Sequence, residues 1–134
     1  MSYCSNTFIE VAEDCPATVA SAPESKNGKK TIPVLQYEMI AKHPYKYTEE
    51  DILFETYANH NNIPAAKRLA ERKKFLAQEQ PCLRISALGK RYGWGVHCDS
   101  HGKVALVAIE STDYKRLASN PTLQHVKAFR SKRV

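Results

Sequence analysis

No stretch of the sequence is apolar over the ~18 residues that a membrane-spanning helix needs. Met1-Ser2-Tyr3-Cys4-Ser5-Asn6 lacks both the basic start and the apolar segment of a secretory signal. A cytoplasmic protein is expected. Cysteine occurs only at Cys4, Cys15, Cys82 and Cys98, at irregular spacing and with no CxxC pair. In a cytoplasmic chain that pattern predicts reduced thiols, several of them buried. No Ser-His-Asp pattern, glycine-rich dinucleotide fingerprint or HExxH is present. Ser25-Lys26-Asn27-Gly28-Lys29-Lys30-Thr31 fails as a phosphate loop, because position 23 is proline and Lys30 stands where Ser or Thr should follow the lysine. Only a looser anion contact through Lys26, Lys29 and Lys30 is left.

What is present describes an ordinary globular chain. With 134 residues, 43% hydrophobic and 25% charged, the sequence suits one domain with a real core over its whole length. Charge is uneven: residues 1–60 carry five Lys/Arg against nine Asp/Glu, a balance of −4, whereas residues 61–134 carry fifteen against five, a balance of +10. Such asymmetry suits an acidic face docking on a basic one in a homo-oligomer, a nucleic-acid surface, or simply solvated helices.

Along the chain, Thr7 to Ala12 alternates as an edge strand. Residues 13–30, with Pro16, Pro23 and Gly28, read as a long mobile loop. A helix from Ile32 to Lys42, with Thr31 as cap and Pro33 in its first turn, is preferred to a competing strand over Ile32 to Tyr37. Thr48-Glu49-Glu50-Asp51 is a helix start, so its acids are read as a capped, solvated first turn and not as a metal or acid–base cluster. Pro64 opens a further helix through Gln80. Its expected inward face is Ala66, Leu69, Ala70, Phe75 and Leu76, and Lys67, Arg68, Arg72, Lys73 and Lys74 lie outward. Cys82 to Leu88 alternates as a strand, Ser111 caps a short helix, and the spacing of Leu123, Val126 and Phe129 suggests a final helix with a short strand as the alternative.

Lys90 to Glu110 organises the rest. Asp99-Ser100-His101-Gly102 is a turn between runs rich in Tyr, Trp, Val and Ile, which predicts a β-hairpin. With Ser100 and His101 as a two-residue loop, Trp94 faces Val107, Tyr92 faces Ile109 and Arg91 faces Glu110. Trp94 and Val96 then lie on a core face with Val107. The opposite face has a floor at Gly93 and Gly95, with Arg91 and Glu110 at one end and His97 at the other. Glycines inside a strand mark close approach of something to the backbone, either a helix of the same protein or a ligand. His97-Cys98-Asp99-Ser100-His101 holds candidate metal ligands, but adjacent strand residues point to opposite faces, so no metal site is expected.

Lys90-Arg91-Tyr92-Gly93-Trp94-Gly95, Gly102-Lys103 and the ending Arg130-Ser131-Lys132-Arg133 resemble a family of small, mostly bacterial proteins built on a domain of unknown function. Phe8-Ile9-Glu10-Val11-Ala12, Leu35 to Ile40 and Tyr47 to Asp51 fit it too. The resemblance implies no catalytic residues.

The expected fold is α+β: a small, mainly antiparallel sheet centred on about 82–110 and covered by helices. The expected function is a non-enzymatic module, without cofactor, that holds a small anionic ligand or a protein segment at Arg91, Gly93, Gly95, His97 and Glu110. One alternative is nucleic-acid binding through Lys67, Arg68, Lys73, Lys74, Arg130, Lys132 and Arg133. The other is a small enzyme in which Arg91 holds an anionic substrate and His97 moves a proton.

Overall fold

The computed structural model describes residues 5–25, 27–78 and 82–131. Its architecture is α+β. A four-stranded mixed sheet, in the order β3-β2-β1-β4, is built from β1 (Thr7–Glu10), β2 (Trp94–Cys98), β3 (Val104–Ala108) and β4 (Gln124–Lys127). Two of its pairings are antiparallel and the third, β1 with β4, is parallel. Five helices accompany it: α1 (Ile32–Lys42), α2 (Glu49–His60), α3 (Ala65–Ala77), the single turn α4 (Ala87–Lys90) and α5 (Thr112–Ala118). None of the described helices is long and apolar enough to cross a membrane.

The helix starts are where local chemistry placed them. Thr48 and Asp51 form a reciprocal capping box at α2, with the Thr48 N–H donating to Asp51 Oδ2 at 3.0 Å and the Asp51 N–H donating to Thr48 Oγ1 at 3.2 Å. Proline sits in the first turn of α1, which resolves the choice at 32–42 in favour of helix. Ser111 caps α5 by accepting from the Tyr114 N–H.

Other expectations are corrected. β1 is not an edge strand, because β4 lies against it. The final segment is thus a strand and not a helix: Gln124 to Lys127 gain a parallel ladder with Thr7 to Glu10, a partner too distant in sequence for local periodicity to reveal. Residues 82–88 form no strand but a 3₁₀ turn, Leu83–Ile85, followed by α4. Ser86 caps α4 through the Leu88 N–H, and buried Glu49 accepts from the Leu83 N–H at 2.9 Å, so these donors have partners without a ladder. On α3 the face toward α2 carries Arg68, Arg72 and Phe75, and Leu69 is 74% exposed. Cys98 is buried and disulfide-bonded, against the expectation of reduced thiols, while Cys15 and Cys82 are free.

The hairpin is shifted by one residue from the two-residue-loop reading. Trp94 pairs with Ala108, Gly95 with Val107 and His97 with Ala105. The cause is a longer turn: Gly102 has φ +76°, and Asp99 Oδ1 accepts from both the His101 and Lys103 N–H groups at 2.9 Å. Trp94 and Val96 do face the main core, where Ile9, Ile40, Ile52, Leu83, Leu88 and Val104 are buried. The other face meets α5. There Phe8, Val107 and Leu117 form a second core, bordered by Tyr114.

Residues 43–47 are a strap from α1 to α2 that crosses the outer edge of β3. The Tyr45 N–H donates to the Val104 carbonyl and the Val104 N–H donates to that of Tyr47, both at 2.9 Å. This pairs part of an edge that would otherwise stand open.

A methyl group at Gly95 would lie 2.9 Å from Tyr114 Cε2 and 3.0 Å from the Phe8 ring, both held in the second core. Gly95→Ala is therefore expected to cost about 1–3 kcal/mol through overpacking, read as a lower urea midpoint at unchanged slope. An unchanged midpoint would show that α5 does not press on this floor.

Candidate functional site

The five residues expected to form a ligand site do not make one open surface. Gly95 is covered by Tyr114 of α5 and by Phe8. Gly93 precedes β2 with φ +81°, and a methyl group there would meet Ala17, Ala20 and Ile109 within 3.3 Å. The glycine floor is thus filled from within. Arg91 is exposed at the end of α4, and Glu110 accepts from the Ala20 N–H at 3.1 Å, beyond the strand pairing that was to oppose the two. The loop that covers Gly93 is pinned there by Ser21, whose N–H donates to the Tyr92 carbonyl and whose carbonyl accepts from Trp94 Nε1. His97 stands apart at the far end of β2, with its Nδ1 2.8 Å from the Tyr45 hydroxyl.

Several cations of the nucleic-acid alternative are already engaged. Arg68 donates to Glu55 at 2.8 Å, to Asn59 at 3.0 Å and to the Ile63 carbonyl at 3.1 Å. Arg130 is bound to Glu13, and Lys74 lies 3.7 Å from Glu71. The Arg130 pair holds the Glu13 carboxyl below its ordinary range. Lys67 and Lys73 have no ion-pair partner among the described residues, and Lys132 and Arg133 lie outside those residues.

A larger concavity than the glycine face offers lies elsewhere. A cleft of about 1220 Å³ runs between α1 and α2, closed on one side by Arg72 of α3. Leu35, Met39 and Tyr47 supply its apolar wall, and its polar groups fall into two sets. The acids are matched: Glu38 with Lys30, Asp51 with Arg72 and Glu55 with Arg68, each at 2.8 Å. Lys29, Lys42, His43 and His60 also line the cleft, and no carboxylate of the described residues is paired with them. Lys29 and Lys30, which precede α1, line the same cleft as His60 at the end of α2. Two lysines of the rejected phosphate-loop pattern thus reach a cleft after all, while Lys26 lies outside the described residues.

Electrostatics within the cleft follow from these pairs. The Lys30 ammonium, with a smaller contribution from Lys42, holds the Glu38 carboxyl below its usual value. Burial pushes the Asp51 carboxyl up, but the Thr48 N–H and hydroxyl and the Arg72 guanidinium together outweigh it, leaving the group lowered. Glu49, buried beneath, is raised by its burial, which its bond from Leu83 only partly offsets. Among the described residues no group of three or more His, Cys, Asp or Glu side chains is arranged to hold a metal ion.

Sequence reasoning missed Lys42, His43 and His60 because each is an unremarkable residue near a helix C-terminus, where positive charge is favoured for its own sake. Only the side-by-side packing of α1 and α2 brings them to one space.

Asp51 yields a pH-dependent prediction. Its folded-state pKa lies below the ordinary aspartate value of 3.8, so its contribution to stability is full above that value and is lost as pH falls through the folded one. Asp51→Asn is expected to cost about 1 kcal/mol at neutral pH, after allowance for partial exposure. Urea unfolding should show the gap to the parent protein narrowing toward pH 3; a gap that widened in acid would refute the assignment.

No curated protein and no solved structure matches the chain. A model of a family of unknown function, DUF6157, matches residues 1–134. The α+β domain with its α1–α2 cleft therefore belongs to that family.

Proposed function

We propose that the protein is a ligand-binding module, and that its site is the cleft between α1 and α2 instead of the glycine face. The ligand is a small anionic molecule. The observation that carries this reading is the mismatch inside the cleft: every acid lining it has a cationic ion-pair partner, whereas among the described residues Lys29, His43 and His60 have no acidic partner and Lys42 meets only the field of Glu38, which Lys30 already pairs. A cavity of about 1220 Å³ can hold a metabolite-sized ligand. Its apolar wall of Leu35, Met39 and Tyr47 gives such a molecule something to bury, and the lysine and histidine rim supplies charge-assisted donors. Binding alone, without a reaction, is all these groups are asked to do.

The test is a titration of isotope-labelled protein with pyrophosphate and, separately, citrate, following backbone amides by NMR at low and moderate salt. Saturable shifts confined to residues around Lys29, Lys42, His43 and His60 are expected. The charge reversals Lys29→Glu and Lys42→Glu together should weaken binding at least about tenfold, the effect of removing one good charge-assisted contact. Absence of saturable shifts in the cleft with either anion, or binding indifferent to the double reversal, would overturn the proposal.

A further inference from the structure

His97 and Tyr45 form a polar pair on the opposite side of the sheet from the cleft, and neither is used by the reading above. The Tyr45 hydroxyl and His97 Nδ1 are 2.8 Å apart, with the rings nearly perpendicular at 82°. Tyr45 reaches this position at a conformational cost: its φ is +60°, a region that bulky residues rarely occupy and that Asn or Gly would enter with less strain. Strain retained where a more permissive residue would relieve it points to a side chain that is wanted there. The backbone of the strap is pinned on both sides of Val104, so the ring is carried round the β3 edge and set against His97.

The third member comes from α5. Ser111 starts this helix at the end of β3, its N–H on the Ala108 carbonyl at 3.0 Å, and α5 then packs back over β3 and β1. Residue 116 lies roughly 7 Å along the helix from residue 111 at 1.5 Å per residue. Ala105 lies roughly 10 Å back along β3 from Ala108 at about 3.3 Å per residue. Arg116 is thereby returned toward Ala105, the partner of His97 in the sheet. Its guanidinium acts on both His97 and Tyr45 electrostatically, and 66% of its side chain is exposed. Its single carboxylate partner among the described residues is Asp113, at 3.4 Å.

The proton arrangement follows from the pair. Burial raises the Tyr45 hydroxyl above its ordinary pKa, so it keeps its proton, and burial lowers the His97 imidazole, so it is neutral at pH 7. Asp99 opposes the shift at His97 and Arg116 reinforces it; Asp99 and Asp113 add to the rise at Tyr45, against Arg116. The Tyr45–His97 bond admits two tautomers; in the one where the Tyr45 O–H donates to Nδ1, the imidazole proton sits on Nε2. That Nε2–H has no hydrogen-bond partner among the described residues. We infer that His97, held by Tyr45, and Arg116 form an anion-recognition site that takes a single carboxylate or phosphate group between the Nε2–H and the guanidinium. It is independent of the α1–α2 cleft.

The experiment follows the ring nitrogens of His97 in protein carrying labelled histidine, at a pH where the imidazole is neutral. Inorganic phosphate is added in one series and acetate in the other. A saturable shift at His97 Nε2 is expected, weakened about tenfold in Arg116→Gln and unchanged in Lys115→Gln, its exposed neighbour. Tyr45→Phe should mix the two tautomers and weaken the response. A response to phosphate alone assigns a phosphate group, a response to acetate alone a carboxylate, and a response to both a site that reads charge and not shape. No saturable shift with either anion, or an unchanged affinity in Arg116→Gln, would overturn the inference. Because His97 and the cleft amides report separately, failure of one site leaves the other visible.

Discussion

The turn held by Asp99 is the constraint on which the rest of the structure depends. Its Oδ1 gathers the N–H groups of His101 and Lys103, and Gly102 supplies the positive φ that closes the loop. These bonds set the register of β2 against β3, and a one-residue slip would exchange the two faces of a strand. In the observed register Gly95 stands beside Val107 on the α5 side, where the missing side chain admits the rings of Tyr114 and Phe8. Val96 and Cys98 then fall on the side of α1 and α2 and join Ile40 and Ile52 in the main core. Both cores, and therefore both layers of helix, rest on that loop.

The sheet edges show how the same fold disposes of its remaining backbone groups. At β3 the strap bonds both the N–H and the carbonyl of Val104, and Ser111 takes the Ala108 carbonyl. At β4 the Arg84 guanidinium donates to the Lys127 carbonyl at 2.7 Å while its plane covers Phe129. Short edges and charged side chains of this kind discourage pairing with a foreign strand. The strap has a second consequence. His43 and Tyr47 line the cleft, whereas Tyr45 between them crosses to His97. One short connection thus shapes the wall of one polar region and completes another.

Charge follows a similar logic. The surplus of fifteen Lys/Arg over five Asp/Glu after residue 60 looks like a single basic surface when read along the chain. In three dimensions the acids of the first part are spent on it: Glu55 on Arg68, Asp51 on Arg72, and Glu13 on Lys127 and Arg130. These exposed or half-exposed pairs add little stability individually. They still leave many described cations without an ion-pair partner, Lys67 and Lys73 on α3 and Lys29 and Lys42 at the cleft rim among them.

Local rules determined a good part of this protein from its sequence. The capping box at Thr48, the proline in the first turn of α1, the Ser111 cap and the apolar side of Trp94 are short-range features, decided within a turn or a hairpin. The resemblance to a family of unknown function could also be read from the sequence, and a family model matches residues 1–134. What only the tertiary structure decided was partnership across long separations. Gln124 to Lys127 became a strand because β1 offered it a ladder, and Leu83 found its acceptor in Glu49, 34 residues away. The candidate glycine floor was visible as a gap, but its occupant, Tyr114, came from a helix that the pattern could not place. Likewise Lys42, His43 and His60 carry no signal in order along the chain; they share a cleft because two helices pack side by side. Sequence encodes local geometry within a few residues, whereas a site is a matter of which distant surfaces meet.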